Sequence, residues 1–211
     1  MAAAADNFQI SFPAVRGVQA GREYYVAMCP LDLVVKLIRL DEEGSEVPRD
    51  LRAQRILNKS RVPAITRYIL ENQDTYAFSS LTVSIDSKVT FKAHSTKGVA
   101  SRLGILSLPL DATFLINDGQ HRRAAIEHAL RERPVLRHES ISLVIYIDRG
   151  LKRSQQLFAD LNRYVVRPTP SLSILYDHRD PTARLAHNVA NNVTVYSAVP
   201  TPPKMSRTVK T

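Results

Sequence analysis

The sequence predicts a fold in which α-helices and β-strands surround a mixed sheet, and three observations support this class. Residues 141–147 are almost all β-branched or apolar, which is typical of a buried strand. Residues 114–116 form a short apolar run, and a segment rich in helix formers follows from Gln120 to Arg133. Because strands and helices alternate in this way through residues 76–162, we expect an α/β or α+β core built around a mixed sheet.

The N-terminal part of the chain predicts two strands and two helices. Residues 8–12 alternate apolar and polar side chains, as a half-buried strand does, and residues 23–28 form a second such run. Apolar residues recur at helical spacing over residues 31–40, which predicts an amphipathic helix. A further helix is predicted from Pro63, a residue that suits a first helical turn, to residues 71–72.

In the central part, residues 76–85 and 89–92 are predicted to be strands that pair as a hairpin around residues 86–88. A polar loop is expected over residues 93–104, and a short helix over residues 154–161.

The chain is predicted to contain one domain, residues 7–180, and a flexible basic tail, residues 181–211. No acidic residue follows Asp180, whereas four Lys or Arg residues are spread among prolines, Asn, Thr and Ser. Such a tail either lies along a DNA backbone or is simply solvated.

The charge and cysteine content limit the partners and the compartment. The chain has 29 basic and 20 acidic residues, a net charge of +9, and a sequence pI near 9.9. This surplus favours a polyanionic partner, which is DNA or RNA more often than an anionic membrane surface. The single cysteine excludes an internal disulfide and favours the cytoplasm, and the sequence has neither a membrane-spanning apolar run nor a secretory signal. The six histidines show no ligand spacing, so no metal site is predicted.

The most informative motif is the run from Asn117 to Arg123, where a predicted strand turns into a helix. A helix N-terminus presents unpaired N–H groups and a positive dipole end, which suits a phosphate. Gly119 lets an anion approach the backbone, Arg122 offers a fork of donors, and His121 donates a hydrogen bond or shuttles a proton. The alternative is a strand–turn–helix without a ligand, in which Asp118 caps the helix.

Two further sets of residues are candidate sites. The first would contact a DNA backbone, because several of its members fall on one face of a predicted helix, although a solvated helix face is the alternative. It comprises Arg52, Arg55, Lys59, Arg61, Arg67 and Arg163. The second is Cys29, which is either a buried small apolar residue or, if its thiolate is exposed, a redox sensor.

Several motifs resemble those of a known family. Residues 117–122, Asn-Asp-Gly-Gln-His-Arg, resemble the signature of DGQHR-domain proteins, and the chain is similar to the DndB family of DNA sulfur modification proteins over residues 7–190. The motifs that carry this second resemblance are residues 51–59, 67–72, 154–163 and 176–181. Relatives with these motifs continue beyond this length through an apolar, helical C-terminal half, so we expect either a naturally short form or a chain from which that half is missing.

The resemblance implies a regulator of the DNA phosphorothioation genes that binds double-stranded DNA at their promoter. We also expect a homo-oligomer, with other phosphorothioation proteins as further partners. The motif is also similar to the phosphate-binding box of ParB-type and sulfiredoxin-type folds, which hold a nucleoside triphosphate, so ATP or CTP is a candidate cofactor. By this resemblance Gly119 is the close-approach glycine and Arg122 the phosphate clamp. Asp118 orients Arg122 or a metal-bound water, and Gln120 and His121 reach the nucleotide or a DNA phosphate.

Two other functions remain open at this point. One is a nucleotide triphosphatase or a DNA-nicking enzyme, in which Asp118 and His121 act on a phosphate held by Arg122. The other is a scaffold that binds the modification machinery without chemistry of its own.

Overall fold

A computed structural model describes residues 9–38, 59–149, 153–163, 169, 171 and 179–192. The chain divides into two compact units, residues 1–164 and 165–211. The described strands, all in the first unit, are β1 Gln9–Gln19, β2 Arg22–Pro30, β3 Leu81–Asp86, β4 Thr90–Ala93, β5 Leu103–Pro109, β6 Thr113–Asp118 and β7 Ser140–Ile147. They form one seven-stranded sheet in the order β4-β5-β1-β2-β7-β3-β6.

The sheet is mixed, because β3 and β7 pair in parallel whereas the other neighbouring strands are antiparallel. The predicted fold class is therefore confirmed. The ParB-type or sulfiredoxin-type likeness stays a prediction.

Five helices lie in the described residues, four in the first unit and the last in the second. They are α1 Leu31–Leu37, α2 Val62–Glu71, α3 Gln120–Glu132, α4 Ser154–Arg163 and α5 Pro181–Asn192. Short 3-10 turns cover Lys59–Arg61, Val99–Arg102 and Pro134–His138. Helix α3 is central, because it contacts both α1 and α2 and buries Ala124, Ala125, Ile126 and Ala129.

The predicted hairpin around residues 86–88 is wrong. Strand β3 begins only at Leu81 and pairs with β6 and β7, whereas β4 pairs with β5. Every residue from Leu81 to Ile85 is buried. A strand buried on both faces belongs inside a sheet between two neighbours rather than in an isolated hairpin.

Three other predictions need correction. The helix predicted over residues 31–40 ends at Leu37, and the loop predicted over residues 93–104 gives way to β5 at Leu103. The first part of the predicted flexible tail is a helix, α5. Asp180 caps it, because its Oδ1 accepts from the backbone N–H groups of Thr182 and Ala183 at 2.6 and 3.1 Å. Residues 193–211 of the predicted tail lie outside the described residues.

A buried arginine joins α3 to the end of α1. The Arg123 side chain is 5 % exposed, and its Nε donates to the carbonyl of Ile38 at 2.6 Å while Nη2 donates to the carbonyl of Val35 at 2.7 Å. Its Nη1 pairs with the carboxylate of Glu127. The guanidinium thereby satisfies carbonyls that the end of a helix leaves without an intrahelical partner.

Candidate functional site

The turn between β6 and α3 requires a glycine. Gly119 has φ +98°, a region that side chains rarely adopt. A Cβ at this position would lie 2.4 Å from Cδ2 of Leu81, closer than two carbon atoms can approach. Gly119 therefore lets β6 turn directly into α3 against the start of β3.

The first turn of α3 has no side-chain cap. Gly119 is the N-cap residue and carries no side chain, and the first helical hydrogen bond runs from the N–H of Arg123 to the carbonyl of Gly119 at 2.9 Å. The N–H groups of residues 120–122 precede this bond and have no helical carbonyl to donate to. The alternative in which Asp118 caps the helix is therefore wrong, and the end of α3 keeps its positive dipole.

Arg122 is occupied by groups of the protein itself. Its side chain is 16 % exposed, and Nη2 contacts Oδ2 of Asp118 at 2.5 Å. Nη1 donates to the carbonyl of Ser80 at 2.9 Å and also to the carbonyl and hydroxyl of Ser79. This arrangement disagrees with the predicted phosphate clamp, because the donor fork is already used. Arg122 instead positions the turn by tying it to the segment before β3.

A cavity of about 350 Å³ opens beside this turn. It is lined by Arg61, Ile65, Asn117, Asp118, Gly119, Gln120, His121, Arg122 and Phe158. Arg61, which is exposed and directly precedes α2, comes from the predicted DNA-binding set. The fold thus places one predicted DNA contact beside the uncapped end of α3.

Two side chains of the motif give the cavity its hydrogen-bonding character. Burial, and then the charge of Arg61, lower the pKa of His121, while Asp118 acts in the opposite direction. This shift favours the neutral imidazole, which has one N–H donor and one acceptor nitrogen. The Oε1 atom of Gln120 is buried and has no hydrogen-bond partner in the described residues. A buried acceptor without a donor is unfavourable.

A buried polar chain holds the end of β6 in place. Asn117 is fully buried, its Nδ2 donates to Oγ of Ser84 at 2.7 Å, and Oγ of Ser154 donates to its Oδ1 at 2.7 Å. These bonds connect β6 to β3 and to the start of α4. Sequence reasoning noted Asn117 only as part of the motif, because its partners are far away in the chain.

The other predicted DNA contacts are only partly described. Arg67 on α2 and Arg163 at the end of α4 are exposed, but neither lines this cavity. Arg52 and Arg55 lie outside the described residues, and so does the side chain of Lys59. Their role at a DNA backbone stays a prediction.

Cys29 does not meet the condition for a redox role. Its side chain is fully buried, and burial together with the charge of Asp32 raises the pKa of the thiol to about 12. Since the thiolate is the reactive form, a buried and protonated thiol is unreactive. The redox interpretation is therefore wrong, and Cys29 packs as a small apolar residue.

Two features are absent from the described part of the chain. No helix there is long and apolar enough to cross a membrane. No three side chains of His, Cys, Asp or Glu in those same residues lie together as a metal site would require.

Comparison with protein families gives a match over most of the chain. Residues 12–206 match the model of the family DndB, described as DNA-sulfur modification-associated. The chain belongs to the DndB family. The resemblance seen in the sequence motifs is thereby confirmed, and family membership associates the protein with the DNA sulfur modification system. No curated protein and no solved structure matches this DndB-family chain.

Proposed function

We propose that this DndB-family protein is a DNA-binding regulator of the phosphorothioation genes, and that the cavity at the start of α3 receives a phosphate group. The observation that carries the proposal is the uncapped N-terminus of α3, which opens onto a cavity that Arg61 also lines. Backbone N–H groups, a helix dipole and a guanidinium at one place form a favourable site for an anion.

Arg61 replaces Arg122 as the proposed phosphate ligand. The charge of Arg122 is balanced by Asp118, whereas Arg61 forms no ion pair within the described residues. The net charge of +9 adds a long-range attraction for DNA.

The enzymatic alternative has less support from the geometry. It requires Asp118 and His121 to act on a phosphate that Arg122 holds. In the structure, Asp118 and Arg122 bind each other at 2.5 Å. The phosphate would therefore lose its proposed clamp, and the reaction its proposed carboxylate.

Arg61→Ala is expected to weaken DNA binding and to reduce its salt dependence. One lost phosphate contact reduces the magnitude of the slope of log K against log salt by about 0.9. The measurement is fluorescence anisotropy with a duplex from the promoter of the modification genes and an unrelated duplex of equal length, between about 50 and 200 mM salt. The native protein should bind the promoter more tightly than the unrelated duplex.

Arg133→Ala is the matched control, because Arg133 is an exposed arginine just beyond the other end of α3. It should leave both the affinity and the slope near the native values. Equal slopes for Arg61→Ala and the native protein would contradict the proposed site. Adding ATP or CTP then identifies the source of the phosphate, since a nucleotide that binds in this cavity must change the affinity for DNA in the native protein more than in Arg61→Ala.

A further inference from the structure

A second basic cluster lies at the end of the sheet opposite to the DGQHR turn. In the β2–β7 pair Tyr24 faces Tyr146, so Arg22 at the start of β2 lies near Arg149, which follows β7. Strand β3 runs parallel to β7 with Ile85 beside Ile147, so the loop that carries Lys88 leaves the sheet at this same end. Three segments that are distant in sequence thus bring one cation each to one place.

These cations surround a cavity of about 380 Å³. It is lined by Arg22, Glu23, Tyr25, Lys88, Val89, Ile147 and Arg149. The three basic side chains are exposed, whereas Tyr25 is 5 % exposed and lies deeper. Val89 and Ile147 supply apolar walls. A concave surface with low-dielectric walls and charges of one sign concentrates the potential beyond that of scattered surface cations.

The acidic residue in this cavity is already neutralised. Oε1 of Glu23 accepts from Arg16 at 3.2 Å, and its Oε2 accepts from the hydroxyl of Tyr25 at 3.0 Å. Arg22, Lys88 and Arg149 form no ion pair within the residues that the structure describes. Two aspartates are close in sequence, Asp86 and Asp148, but neither lines the cavity.

We infer that Arg22, Lys88 and Arg149 form a second contact for the backbone phosphates of duplex DNA. The inference rests on the proposed DNA binding and adds where a second segment of the duplex lies. Strand β3, with six residues, spans about 20 Å between the DGQHR turn and this end. That separation is too long for one phosphate and comparable to the width of a duplex, so the two cavities contact different phosphates.

The test is the triple variant Arg22→Gln, Lys88→Gln and Arg149→Gln. Its control is Lys97→Gln, Arg102→Gln and Arg133→Gln, which removes the same charge from exposed positions that do not line the cavity. Anisotropy with duplex DNA is measured against salt. Relative to the control, we expect the triple variant to have a slope of log K against log salt that is smaller in magnitude by about 2 to 3. We expect its affinity at low salt to be lower on the order of tenfold or more.

The outcomes separate this inference from the proposed function. If both triple variants bind alike, the cavity inference is wrong, while binding by the native chain still supports the regulator. If the native chain fails to bind duplex DNA, both are wrong. Circular dichroism checks that each variant is folded. Should the triple variant not fold, the single variants Lys88→Gln and Arg149→Gln replace it. Each is expected to reduce the magnitude of the slope by about 0.9. If neither variant changes the slope, the inference is wrong.

Discussion

Gly119→Ala is expected to lower the free energy of unfolding by about 3 kcal/mol, because strain and overpacking each cost of order 1 to 3 kcal/mol. The added Cβ would meet Cδ2 of Leu81 at 2.4 Å, in a backbone conformation with φ +98°. Leu81 is fully buried at the start of β3, so it has little room to move. Urea denaturation followed by circular dichroism measures the change.

Two other glycines separate the contribution of the backbone from that of the clash. Gly21 and Gly98 also have positive φ, +73° and +66°, but a Cβ at either position meets nothing within 4 Å. At Gly21, in the turn between β1 and β2, alanine should cost only about 1 kcal/mol. Gly98 has ψ −160°, a backbone conformation that is almost restricted to glycine, so alanine there should cost more. If Gly119→Ala is no more destabilising than Gly21→Ala, the close approach of Leu81 to the turn is not a constraint on the fold.

Arg123→Ala is the second large effect, with an expected loss of about 3 kcal/mol, because each carbonyl that loses its donor costs about 1 to 3 kcal/mol. The substitution removes one of the two arginines that pair with Glu127, and it removes the donors for the carbonyls of Val35 and Ile38. Because Ile38 is fully buried, water is a poor replacement for those donors. The measurement is the same urea denaturation.

Arg131→Ala is a matched control, because Arg131 pairs with the same carboxylate of Glu127 at 2.6 Å but is 67 % exposed. An exposed pair contributes about 1 kcal/mol or less. Arg123→Lys should give an intermediate loss, since it keeps the charge but not the fork of donors. If Arg123→Ala and Arg131→Ala lower the free energy of unfolding by similar amounts, the buried hydrogen bonds between α3 and the end of α1 do not stabilise the protein.

Local patterns in the sequence predicted much of the fold. The apolar run in β7, the alternation in β1 and the helical spacing in α3 are patterns among residues that are close in sequence. All three elements are present in the structure. The pairing of β3 could not be predicted in this way, because its partners β6 and β7 are defined by contacts between distant residues. Helix α5 was predictable, since Asp180 followed by Pro181 is a common helix start.

In the candidate site, too, local patterns could be predicted from the sequence, whereas contacts between distant residues could not. A strand–glycine–helix turn follows from the residues themselves, and Gly119 lies where it was expected. The occupation of Arg122 was not predictable, because Ser79 and Ser80 are more than 40 residues away in the chain. The sequence alone also gave no reason to single out Arg61 from the other arginines of its cluster.

The proposed function depends on phosphate binding by the first turn of α3. The direct measurement is the chemical shift of the backbone amides of His121 and Arg122, recorded by ¹H–¹⁵N NMR during titration with promoter duplex. We expect both amides to shift and to saturate with the affinity measured by anisotropy, and to shift less at equal DNA concentration in Arg61→Ala. If other amides respond to the duplex while these two remain unchanged, phosphate does not bind at this turn.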